Sequence, residues 1–149
     1  LVIAIYCVTP LVYAEVTETA PNDSEKNALV NFAADVTPVA LWEIEEAIIE
    51  RTNSERIRLG LEPLEVCSNL IQSARVHTVW MARSQNLAHG RGVAENIAWG
   101  QETPHEAVQS WMNSPGHRAN MLNPGHRRIG VAAYEAADGR IYWCQQFKS

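Results

Sequence analysis

The apolar residues of this chain change period near Pro124-Gly125, and that change fixes the kind of fold the chain can adopt. Upstream, apolar positions recur three and four residues apart, as on one face of a helix. Downstream, Ile129 to Tyr134 and Arg140 to Phe147 read as strands joined by a turn at Asp138-Gly139. Asp-Gly between two such runs is a hairpin signal, because the turn needs positive φ angles that Gly adopts freely. In the second run Ile141, Trp143, Gln145 and Phe147 share one face, and Tyr142, Cys144 and Gln146 share the other. A third short strand is expected at Asn96 to Trp99. Helices packed outside a small antiparallel sheet make an α+β fold, an α-β-α sandwich.

Four helical stretches precede or flank the strands. Thr37-Pro38 reads as an N-cap with Pro in the first turn, followed by Leu41, Ile44 and Ile48 at helical spacing and a stop at Gly60. The second helix is expected from Ser68 to Gln85, with Leu70, Ala74, His77 and Met81 as its buried stripe and Ile71 beside it. Thr103-Pro104-His105-Glu106 is a capping box ahead of Ala107, Val108, Trp111 and Met112. Ser114-Pro115 opens a further helical turn, closed by Asn123-Pro124-Gly125.

The first fourteen residues, LVIAIYCVTPLVYA, carry no charge. They are shorter than the roughly 20 apolar residues a membrane-spanning helix needs. They end in Val12-Tyr13-Ala14, so they read as the apolar core and cleavage site of a secretory signal. Residues 15–36 are acidic and polar and read as a flexible linker, which leaves 37–149 as one domain. With Cys7 removed, Cys67 and Cys144 form an even pair in a chain bound for an oxidising compartment. One disulfide is the expectation, and two independent buried thiols are the other reading. The net charge of −5, with Arg118, Arg127 and Arg128 spread as a solvated rim, argues against nucleic acid as a partner.

Several runs together resemble one family. Asn53-Ser54-Glu55-Arg56 is followed by Gly60-Leu61-Glu62-Pro63-Leu64, and the second helix reads LIQSARVHTVWM. Leu87-Ala88-His89 precedes Ala94-Glu95-Asn96-Ile97-Ala98, and Trp111-Met112-Asn113-Ser114-Pro115-Gly116-His117-Arg118-Ala119-Asn120 follows. Ile129-Gly130-Val131 and Tyr142-Trp143-Cys144-Gln145-Gln146-Phe147 complete the set. In this order they resemble the bacterial SCP domains of the superfamily of cysteine-rich secretory, antigen 5 and pathogenesis-related proteins. The resemblance covers about residues 41–149.

That family implies a cleft lined by two His and two Glu. His89, Glu95 and His117 stand at three of the four positions, and Ser114 stands where the second Glu is expected. Two neutral imidazoles can hold Zn²⁺ or another divalent cation, with water completing the shell and Glu95 behind an imidazole. His89 and His117 are the candidate metal ligands; His77 reads as a hydrogen-bonded core residue, His105 as solvent-facing and His126 as a surface residue. The resulting expectation is a secreted or periplasmic binding module, non-enzymatic, for a small apolar molecule, a divalent metal or a cell-envelope component. The alternative is a hydrolase with Glu95 as general base and His117 polarising the substrate. Ser114 as a nucleophile beside His117 is weaker, since Ser before Pro115 is explained by an N-cap.

Overall fold

The computed structural model describes residues 42–149. The expected signal segment 1–14, the linker 15–36 and the Thr37-Pro38 helix start lie outside the described residues. Eight elements follow in order: α1 (Glu43–Arg58), β1 (Glu65–Val66), α2 (Ser68–Ser84), β2 (Ala94–Trp99), α3 (Pro104–Asn113), α4 (Pro115–Met121), β3 (Arg128–Glu135) and β4 (Ile141–Lys148). The strands form one sheet in the order β1-β3-β4-β2.

Local chemistry sets the helix ends. Among the described residues the α1 helix begins after Trp42, whose amide donates to Glu45 Oε2 at 3.0 Å. Glu43, Glu45 and Glu46 in its first turn favour the positive end of the helix. Gly60 follows with φ +76°, the left-handed conformation that stops a helix. At α3 the Glu106 amide donates to Thr103 Oγ1 at 3.2 Å, the expected cap. The Glu106 carboxylate reaches back one residue further than a standard box and accepts from the Glu102 amide at 2.9 Å. The Ser114 side chain makes no cap bond at the start of α4, although its backbone takes the N-cap position.

The sheet separates two cores, as the strand parity anticipates. On one face Trp143, Phe147, Val131, Ile129 and Ala133 pack with Ile48, Val108, Trp111 and Met121 from α1, α3 and α4. On the other, Tyr142, Cys144, Ala132 and Ile97 pack with Ala74, Trp80 and Met81 of α2. Each fully buried side chain of this size contributes roughly 1.5–3 kcal/mol. The α2 helix lies directly on β3 because Gly130 has no side chain: a Cβ there would sit 2.2 Å from the Leu70 backbone. This is the α-β-α sandwich, with one feature the alternation of residues does not announce. The two-residue β1 runs parallel to β3, so the sheet is mixed and not wholly antiparallel. A two-residue run has no period to read; Glu65 N donates to Arg127 O and Cys67 N to Ile129 O.

Among the described residues the expected Cys67–Cys144 disulfide is not formed. The register explains why. Val66 pairs with Ile129, which sets Cys67 beside Gly130, while Cys144 pairs with Ala132 on the next strand but one. Two strand spacings and two residues along the sheet separate their Cα atoms by about 12 Å. A bridge needs less than about 7 Å.

Candidate functional site

Glu95 and Asn96 are consecutive on β2 and therefore point to opposite faces of the sheet. Each is buried, and each organises one side of a cleft.

On the α2 face the Glu95 carboxylate is saturated with donors. Its Oε2 accepts from the Gly90 amide at 2.8 Å and from His89 Nδ1 at 3.2 Å. Its Oε1 accepts from Gln146 Nε2 at 2.9 Å and from the Cys144 thiol at 3.4 Å. His77 Nε2 stands 3.6 Å from Oε1 and donates to the Ala88 carbonyl at 2.9 Å. His77 is thus the buried, hydrogen-bonded histidine expected, and it also anchors the backbone beside His89. A carboxylate only accepts, so the proton of neutral His89 lies on Nδ1 and Nε2 is left as an acceptor. The His89 side chain is 58% exposed, whereas that of Glu95 is 2% exposed.

On the other face the donors and acceptors are neutral. Asn96 Nδ2 donates to the His117 carbonyl at 3.0 Å and to Gln145 Oε1 at 3.1 Å. Asn120 Nδ2 donates to Asn96 Oδ1 at 2.9 Å and to the Glu95 carbonyl at 3.1 Å. Gln145 Nε2 continues to Thr52 Oγ1 at 2.7 Å, and that hydroxyl closes the chain on Ile48 O. This ladder ties α1, β4, β2 and α4 together and fixes the backbone of His117. Burial lowers the His117 pKa below the usual histidine value, and the nearby His89 lowers it further.

The two imidazoles meet at the cleft, with ring centroids 6.5 Å apart and planes 50° from each other. For ligand bonds of about 2.0–2.1 Å, a tetrahedral ion on both rings would hold the centroids roughly 5 Å apart. The exposed His89 ring would have to move in by about an ångström. Glu95 holds His89 from behind through Nδ1, an arrangement that leaves Nε2 open as an acceptor toward the cleft. Among the described residues no cluster of three or more His, Cys, Asp or Glu is placed to hold an ion, so such a site rests on two protein ligands. Ser114 is half-buried at the junction of α3 and α4, where it adds no carboxylate.

The sequence singled out His89, Glu95 and His117, and the structure brings them together. It assigned no role to Asn96, Asn120, Gln145, Gln146 or Thr52. The signal was available in part: Gln145 sits between Trp143 and Phe147 on a face otherwise apolar. His105 accepts a hydrogen bond from Arg51 Nη1 at 3.0 Å, and His126 is not the surface residue expected, since both its ring nitrogens are buried. Arg56, wholly buried, donates to the carbonyls of Glu62, Met121, Asn123 and His126 and so holds the loop that follows α4.

Comparison with known proteins follows the same outline. The profile of the "Cysteine-rich secretory protein family" (CAP) matches residues 49–147. An uncharacterized Bacillus subtilis protein, YkwD, is 36% identical over 146 residues, covering 86% of this chain and 54% of its own length. Human Golgi-associated plant pathogenesis-related protein 1 is 25% identical over 116 residues, covering 64% of this chain and 75% of its own. This chain thus spans about half the length of its Bacillus relative. Among solved structures, an outer surface protein of Borrelia burgdorferi superposes with a TM-score of 0.64 at 19% identity, over 68% of this chain and 89% of that one. An extracellular Bacillus anthracis protein containing an SCP domain gives 0.63 at 22% identity, over 76% and 45%.

Proposed function

The chain belongs to the cysteine-rich secretory protein family, and we propose on that footing that it is an extracytoplasmic binding module. Its cleft at His89, Glu95 and His117 would capture a small apolar or envelope ligand, or a divalent cation. The observation that carries this reading is the state of Glu95. Both carboxylate oxygens are taken up by donors from the protein, which leaves no lone pair directed at a substrate water. Such a carboxylate holds a histidine in place; it does not serve as a general base. Ser114 supplies no second carboxylate, so the cleft holds one carboxylate and not a pair. Secretion is supported by the uncharged leader-like run 1–14, and no helix among the described residues is long and apolar enough to cross a membrane.

When bound, a divalent ion would supply an open Lewis-acid position for a ligand oxygen. His89 Nε2 and His117 would hold it, and Glu95 would fix the tautomer of His89. Zn²⁺ titration of the full chain by calorimetry tests this directly. The expected result is saturable binding that weakens at least tenfold in His89→Ala and in His117→Ala, and weakens in acid, since an imidazole must be deprotonated to ligate. Unchanged affinity in both variants rejects the metal reading. Peptide, ester and glycan panels, with and without Zn²⁺, are expected to show no turnover. Turnover that Glu95→Gln abolishes would replace the binding module with a hydrolase.

A further inference from the structure

Beside the cleft, but sharing none of its three side chains, lies an open groove of about 550 Å³. Its wall is formed by the start of α2, the Arg91–Ala94 segment and the adjoining ends of β3 and β4. Arg91, Arg128 and Lys148 all line it. None of the three makes a side-chain hydrogen bond or ion pair, and no Asp or Glu is among the described residues of the wall.

The sheet register makes this more than a chance gathering of surface charge. Arg128 and Lys148 are direct cross-strand partners in the β3–β4 ladder, so they project from the same face. Like charges placed opposite each other repel unless an anion lies between them. Glu65, across β1 from Arg128, forms no ion pair with it within 4.0 Å. The chain as a whole carries −5, so three cations gathered on one wall run against the protein's net charge.

Two further features share the groove. Its wall includes Cys67, Asn69 and Leu70, the beginning of the 17-residue α2, whose first turn contains no acidic residue and whose N-cap provides no side-chain bond. The positive end of that helix adds to the same field. His126 also lines it, stacked on Phe147 at 5.3 Å, with both ring nitrogens buried and without a hydrogen-bond partner. The size is that of a small-molecule cleft, and Leu70, Val93 and Phe147 give it an apolar part.

The geometry points to a second binding site, for the oxyanion of a small, partly apolar ligand, with Arg128 and Lys148 as its clamp and Arg91 as its third cation. The anionic group is a carboxylate or a phosphate, and the two arms of the test separate them. Full-length chain would be titrated at low ionic strength with inorganic phosphate and, separately, with hexanoate, while backbone amide shifts are followed by NMR. The expected result is saturable shifts at Asn69, Leu70, Arg128 and Lys148 for at least one probe. Affinity should fall tenfold or more in Arg128→Gln/Lys148→Gln and in Arg91→Gln, and should be unchanged in His89→Ala/His117→Ala. The double glutamine variant keeps the fold if its remaining amide shifts match wild type, and Arg91→Gln, in a loop, provides the same test independently. No saturable shift with either probe overturns the site, as does equal affinity in the arginine and lysine variants. Shifts spread evenly over all surface cations, or binding of an acidic peptide with neither small anion, also overturns it.

Discussion

Glu95 and Asn96 are neighbours in the chain and opposites in the fold. Glu95 turns toward α2 and sets a carboxylate among four donors; Asn96 turns toward α4 and trades neutral amide bonds. Each ends at one histidine of the same cleft. The difference lies in what happens when the centre is removed. A buried carboxylate leaves behind several donors arranged for a charge, whereas a buried amide leaves neutral groups that can relax onto one another.

The largest expected effect follows from the charged side. Glu95→Ala strands the Gly90 amide and the Gln146 side chain in a site 5% exposed, and should cost on the order of 3–5 kcal/mol. Urea unfolding of the variant against wild type measures it. A cost under about 1 kcal/mol would mean that the donors find other partners and that the carboxylate is not the organiser argued above.

That asymmetry was only half legible in the sequence. The strand alternation set Tyr142, Cys144 and Gln146 on one face and Trp143, Gln145 and Phe147 on the other, which is the division between the two cores. The helix caps at Thr103 and Gly60 were likewise local and readable. The resemblance named His89, Glu95 and His117. What escaped was everything set by register between distant strands. Whether Gln145 meets Asn96 depends on the pairing of β4 with β2, and no spacing within either segment contains it. The unformed Cys67–Cys144 bridge is the same lesson: an even count of cysteines allows a disulfide, but the two-strand offset forbids it.

The neutral side predicts a smaller loss. Asn96→Ala removes the donor to His117 O and Gln145 Oε1 and the acceptor of Asn120, and should cost about 1–3 kcal/mol. Because the bond to His117 is to its backbone, the variant should also weaken any ligand that uses this ring more than one that uses His89 alone. A calorimetric titration of Asn96→Ala with Zn²⁺ beside the unfolding curve checks both effects. If Asn96→Ala destabilises as much as Glu95→Ala, charge is not what separates the two faces.

The smallest effect is a dependence on pH, and it sharpens the comparison from the histidine end. His117 is lowered first by burial and then by the nearby His89, and His126 first by burial and then by the Arg56 cation. In the unfolded chain both rings would titrate near about 6.5. As pH falls through that value the unfolded chain takes up protons that the folded chain resists, so the unfolded state binds more protons and stability falls. The loss begins near the unfolded pKa and is complete once pH has dropped through the lower folded values; above about 7 these two rings contribute no slope. Partial exposure of both rings keeps the effect modest. Urea midpoints measured at pH 7.5, 6.5 and 5.5 should therefore decline toward acid, and His117→Gln/His126→Gln should flatten the decline. A decline of equal steepness in that double variant would show that these two rings are not the source of the acid sensitivity.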